Sequence, residues 1–221
     1  MLFLHGYLSC KESFYYQLAA VEKQGKRAVA PDMPSFGKSA QIDKPWSVGD
    51  YAVWLKSFMD ETDLKGADVV AHSFGARVIF KLLSFDNSYA NRLIITGGAG
   101  LVKPRSPRYI RQVKRYRRIK KLFPRYAEKH FGSAEYRSLS PLMKESYKLI
   151  VNEDLKGCVS KISNPALLIY GDSDTVTPAA EEGQTFNSLL KNGRLEIMRG
   201  THFCFSENPT EFNALMLEFL K

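Results

Sequence analysis

The chain is 221 residues long, 44 % apolar and nominally +9, enough for one sizeable domain with a packed core and too hydrophobic for a disordered chain. No run approaches the roughly 20 apolar residues of a membrane-spanning helix. The charge is local: twelve Lys and Arg between Lys103 and Lys129 face one acid, Glu128, giving +11 and leaving −2 elsewhere, which excludes a uniformly basic surface that coats nucleic acid.

In chain order, MLFLHG has no basic leader and is expected to open directly as a core strand, 2–5. Further strand-like runs are RAVAPD (27–32), ADVVAH (67–72), RLIITG (92–97), ALLIYG (166–171) and RLEIMRG (194–200). Most are short and β-branched or continuously apolar, as strands covered on both faces are. Helical patterns fall at about 11–24, 47–63, 74–86, 178–191 and 209–220. Ser47 and Asp50 have the spacing of a capping box, and Pro178 and Pro209 suit first-turn positions. Such alternation predicts right-handed crossovers and a doubly wound, mostly parallel sheet of about six strands.

Residues 98–160 break the pattern, with no convincing strand, several helical stretches and the whole basic excess. They are expected to form an inserted helical cap on a core made of 1–97 and 161–221. Cys10, Cys158 and Cys204 are few and widely spaced, which fits a reduced, cytoplasmic protein without a disulfide framework or a zinc site. No cofactor is called for.

Three motifs carry chemistry. In VVAHSFGARVIF (69–80) an apolar run turns at Ser73 directly into a small-residue helix. This is the layout of a nucleophile elbow, in which the positions two before and two after must be small; here they are Ala71 and Gly75. Taken alone, Ser73 reads more readily as a helix cap. In LFLHGYLS, a strand ending in His-Gly can set the backbone N–H of Tyr7 beside that of Phe74, the residue after Ser73, as an oxyanion hole. His5 is read as a core histidine supporting that loop. GDSDTVTP and RGTHFCFSENP each place a polar loop after a strand, where open α/β sheets bind ligands. Asp174 could orient His202, and His202 could exchange a proton with Ser73. Asp172 is the rival carboxylate.

The order Ser73, Asp174, His202, each just beyond a strand, is that of an α/β-hydrolase. HGYLS, APDMPSFGKS, VVAHSFGA, LLIYGDSDTVTP and GTHFCFSENP resemble the landmarks of the α/β-hydrolase superfamily over nearly the whole chain, in the branch of small bacterial hydrolases with a helical lid. The resemblance implies a Ser73–Asp174–His202 triad, an oxyanion hole at Tyr7 and Phe74, no metal or cofactor, and a structural Asp32. It favours Asp174 over Asp172 by spacing. Ala71 replaces the usual first elbow glycine, and the first family hairpin is absent.

The implied reaction is carboxylic-ester hydrolysis on a small acyl substrate. C–C bond hydrolysis, or a menaquinone-pathway type of lyase reaction on a carboxylate-bearing substrate, is the alternative that Arg77 and a basic cap would suit. A non-catalytic ligand-binding protein of the same fold is the third. RYIRQVKRYRRIKKLF sets apolar residues at 109/110, 113, 116, 119 and 122/123 among cations, one stripe on a basic helix. The stripe is expected to cover the active-site mouth, with binding to an anionic lipid surface as the second reading and electrostatic capture of a negatively charged soluble substrate as the third; nucleic acid is not expected.

Overall fold

The computed structural model describes residues 1–102, 107–123, 126 and 134–221. Five parallel strands form one sheet in chain order: β1 (Leu2–Leu4), β2 (Ala67–His72), β3 (Ala90–Thr96), β4 (Ala166–Gly171) and β5 (Gly193–Met198). The sixth strand expected at 27–32 is reduced to a single bridge, Leu2 with Val29. Phe3 N–H donates to Val29 O at 2.8 Å and Val29 N–H to Met1 O at 2.9 Å. Pro31 has no N–H to continue the ladder, and a proline restricts the residue before it, so pairing stops there.

That short edge nevertheless decides the topology. From β1 the chain crosses outward through α1 (Tyr15–Glu22) to Val29, then returns past β1 through α2 (Val48–Glu61) to β2. The winding direction reverses there, so the loops leaving β1 and β2 go to opposite faces. A crevice opens between their carboxyl ends, the usual place for a ligand in such a sheet. Ser47 caps α2 as expected: its hydroxyl accepts from Asp50 N–H at 3.3 Å, and Asp50 Oδ2 accepts from Ser47 N–H at 2.8 Å.

The strand side chains alternate between two cores, with the period of two that a pleated sheet imposes. Leu2, Leu4, Val69, Ala71, Leu93, Ile95 and Leu168 pack with α2, α3 (Phe74–Leu83) and Phe186. Phe3, Val70, Ile94, Leu167 and Ile169 face Val21 of α1 and the residues Phe205, Phe212 and Met216. Each Val, Leu, Ile or Phe among them contributes roughly 1.5–3 kcal/mol on burial. On the outer strand β5, Arg194 Nε pairs with Glu196 at 2.7 Å, and charges of this kind discourage edge-to-edge pairing.

Between β3 and β4 the described residues hold α4 (Pro107–Leu122), α5 (Ala134–Ser138), α6 (Pro141–Val151) and α7 (Lys156–Val159), and no strand. The insert's remaining cations, Lys103, Arg105, Arg125 and Lys129, lie outside the described residues. The helix expected at 178–191 is a π-helical turn, Ala179–Gly183, followed by α8 (Gln184–Leu189). After β5 come α9 (Cys204–Glu207) and α10 (Pro209–Phe219), which begins at its proline as expected. Among the described residues, no helix is long and apolar enough to cross a membrane.

Candidate active site

Ser73 sits between β2 and α3 at φ 49°, ψ −103°, a conformation a non-glycine residue adopts only under strain. Its N–H donates to Thr96 O on β3 at 3.1 Å, which hooks the turn to the sheet. Although it precedes α3, its hydroxyl makes no capping hydrogen bond. The choice between cap and presented hydroxyl therefore falls to the second, and Ser73 lines the cleft. The small-residue requirement is literal at Gly75: a Cβ there would overlap the Leu4 carbonyl of β1. Ala71 is fully buried in the core on the α3 side.

Across the crevice, Gly6 to Ser9 form a turn closed by Ser9 N–H to Gly6 O at 3.2 Å, with Leu8 at φ 57°. Only the last N–H of such a turn is used internally, so that of Tyr7, its second residue, is left free of the turn's own hydrogen bond. Phe74, first residue of α3, likewise has no acceptor within its own helix. Both residues line the cleft beside Ser73. The Tyr7 ring is wedged against Phe36, Phe74 and Tyr147, with centroids 5.0–5.5 Å apart, which fixes the turn.

At the far side, His202 Nδ1 lies 2.8 Å from Asp174 Oδ2, and both side chains are buried. Asp174 Oδ1 accepts from the N–H groups of Val176 and Thr177 at 2.8 and 2.9 Å. Thr177 Oγ1 is 2.9 Å from Asp174 Oδ2, 3.1 Å from His202 Nδ1 and 3.1 Å from Gly97 O. Burial alone would raise the Asp174 pKa, but the hydrogen bonds from His202 and Thr177 outweigh it and hold the carboxyl below its ordinary value. Asp172, the rival, is directed elsewhere: its Oδ1 accepts from Gly200 N–H at 3.1 Å and Ser173 Oγ at 3.0 Å. Among the described residues no hydrogen bond joins Ser73 Oγ to His202.

This chain order and geometry have counterparts. The family described as alpha/beta hydrolase fold matches residues 1–148, two thirds of the chain. The chain belongs to that family. The match takes in Ser73 and ends before Asp174 and His202, so those two rest on the geometry above. Over its full length the hydrolase is 22 % identical to the AB hydrolase superfamily protein YisY of Bacillus subtilis (strain 168), covering 99 % of this chain and 90 % of that one. It is 20 % identical to the non-heme chloroperoxidase CPO-A1 of Kitasatospora aureofaciens, covering 100 % and 91 %. Among solved structures, the esterase from Exiguobacterium antarcticum superposes with a TM-score of 0.79 at 19 % identity, covering 99 % of this chain and 90 % of that one. The bromoperoxidase from Bacillus anthracis does so at 0.80 and 20 %, with the same coverage.

Second-tier residues of the hydrolase hold these groups. Met33 N–H donates to His5 Nε2 at 3.0 Å, so His5 Nδ1 carries the proton and donates to Gly6 O at 2.8 Å. His5 thus braces the Tyr7 turn. Asp32 receives the N–H groups of Lys11 and Lys38 at 2.8 and 3.0 Å, tying two loops near the mouth. His72 is fully buried beneath the site, and its Nε2–H donates to His202 O at 3.0 Å. A Cβ on Gly6 would fall 2.7 Å from His72 Nδ1, so the glycine of His-Gly is set by this packing.

The cleft measures 1020 Å³. Its wall opposite the sheet comes from α6, through Tyr147, Ile150 and Val151. Among the described side chains, none of α4 lines it. In α4, Val113, Tyr116 and Ile119 are half-buried, whereas Ile110, Leu122 and Phe123 are exposed; the Tyr109 side chain lies outside the described residues. Arg77 has structural partners. It borders the cleft, but its Nη1 donates to Ile150 O at 3.0 Å and Glu153 O at 3.1 Å, clamping the end of α6 to α3. An i+4 spacing from Ser73 could not reveal that partner. Thr177 and His72 had no role in the sequence, because their contacts with His202 span 25 and 130 positions. Among the described residues, no three His, Cys, Asp or Glu side chains group as a metal site would need.

Proposed function

We propose that the protein is a serine esterase that cleaves carboxylic esters through an acyl-enzyme. The observation that carries this reading is the buried Asp174–His202 pair, 2.8 Å apart, sharing a cleft with an uncapping, strained Ser73. Because Nδ1 of His202 donates to Asp174, Nε2 is left as the basic nitrogen. His202 takes the proton of Ser73 as Oγ attacks the ester carbonyl, and the N–H groups of Tyr7 and Phe74 receive the developing oxyanion. The same proton passes to the leaving alcohol. Water, deprotonated by His202, then attacks the acyl carbonyl, the acid departs and Ser73 regains its proton. Asp174 stays ionised and stabilises the imidazolium throughout.

Residues 98–160 act in this reading as a cap. The support is that α6 walls the cleft and Arg77 clamps it. The cleft's volume and mixed apolar lining suit a small acyl ester. The Arg77 geometry weakens the C–C hydrolase or lyase alternative, since the guanidinium is engaged by carbonyls. A pure binding protein would have no use for the Asp174 carboxylate held charged behind His202. The cysteine usage is consistent with a cytoplasmic location.

The test is labelling with a fluorophosphonate probe, followed by turnover of p-nitrophenyl esters of graded chain length, for wild type and Ser73→Ala. Labelling and turnover that both vanish in Ser73→Ala are expected. Equal labelling of the two proteins would overturn the nucleophile, and labelling without ester turnover would overturn the ester reading.

A further inference from the structure

The basic segment is not absorbed by ester chemistry. On α4 the seven cations with described side chains, from Arg108 to Lys121, are all exposed, and among the described residues none has an ion-pair partner. At 100° per residue they occupy about half of the helix circumference, opposite the half-buried Val113, Tyr116 and Ile119. The helix therefore keeps its apolar stripe partly covered and turns its charge to solvent. Its C-terminal end adds open apolar surface: Leu122 is 72 %, Phe123 63 % and Tyr126 56 % exposed. The cleft mouth is open and apolar as well, through Leu8, Val176 and Phe203. Val102 lines the cleft five residues before α4 begins.

Packing like charges along one helix costs self-repulsion, and exposed apolar groups give up about 25 cal/mol per Å² of burial. An enzyme for small uncharged esters in solution gains nothing from either, and an anionic one would gain only from the charge. Both costs are recovered on one kind of surface, where phosphates meet the cations and the bilayer boundary takes in the leucine and aromatic rings. A nucleic acid would answer the charge but would leave Leu122 unpartnered. We propose that α4 docks the protein on an anionic phospholipid bilayer. There, an acyl ester of amphiphilic shape would enter the cleft past Leu8, Val176 and Phe203. This second clause rests on the esterase reading; the docking does not.

The experiment is flotation of the full chain, as Ser73→Ala so that no lipid is consumed, with phosphatidylcholine vesicles lacking or containing phosphatidylglycerol. Binding only to the anionic vesicles, and its release by salt, is expected. Arg115→Glu with Arg118→Glu should weaken it on the order of 100-fold. Leu122→Ser with Phe123→Ser should weaken it about tenfold. Both pairs, made in the active protein, should leave turnover of a short soluble ester unchanged, which shows that they fold. No binding to anionic vesicles, or binding indifferent to the arginine pair, overturns the proposal. So does release of the vesicles by polyuridylate with no effect of the Leu122 and Phe123 changes, because the surface would then be a polyanion site. Loss of ester turnover in wild type with vesicle binding intact would overturn the esterase reading alone.

Discussion

The Nε2–H of His72 donates to the main-chain carbonyl of His202 at 3.0 Å, and the two rings lie 4.7 Å apart. The residue before the candidate nucleophile thus holds the loop that carries the candidate base. A carbonyl can only accept, so His72 is the Nε2–H tautomer and its buried Nδ1 is left without a partner. Protonating that nitrogen would put an unpaired charge beneath the site. Burial, then the neighbouring His202, pushes the His72 pKa down to about 3.

This gives a pH prediction for stability. The unfolded His72 takes up a proton below about 6.5 while the folded one does not, so the unfolded state binds more protons between pH 6.5 and 3. Stability from this residue is complete above pH 6.5 and falls as pH drops through that window, by about 2 kcal/mol at pH 5. His5, also lowered chiefly by burial, acts in the same direction. Urea unfolding of wild type and His72→Gln at pH 7 and 5 checks it. The variant keeps a donor for His202 O and should lose distinctly less stability on acidification.

Thr177 touches both members of the Asp174–His202 pair. Thr177→Val should lower kcat/KM of ester hydrolysis by roughly 10- to 100-fold, the worth of a hydrogen bond to a charged group. Thr177→Ser should restore most of it. A valine variant with wild-type kinetics would remove Thr177 from the site.

At the elbow, catalysis and folding are not separable at both small positions. A Cβ on Gly75 would overlap Leu4 backbone, so Gly75→Ala should cost about 1–3 kcal/mol of stability as well as activity. Ala71→Val meets side chains of the core instead and should reduce turnover with a smaller shift in melting temperature. Calorimetry beside ester kinetics distinguishes the two.

Removing Arg77 should loosen α6 without touching the reacting groups. Arg77→Met forfeits two charge-assisted hydrogen bonds, about 3 kcal/mol in all. Amide exchange should accelerate over 141–153, and the ester KM should rise more than kcat falls.

What the residues alone determined was the frame: alternating runs, a serine at a strand-to-helix turn, and an acid and a base after later strands in the right order. Those features follow from local periodicity and spacing, which a single chain displays directly. Local patterns misjudged the outer edge, where Pro31 ends the pairing after Val29. Only the tertiary structure decided which way each polar group turns. Asp174 reaches His202 while Asp172 braces Gly200; Ser73 declines its capping bond; Arg77 grips carbonyls at and just beyond the end of α6; and His72 ties its own strand end to the His202 loop. Each of these is a choice among partners distant in sequence, set by which groups folding buries together and which must then be satisfied.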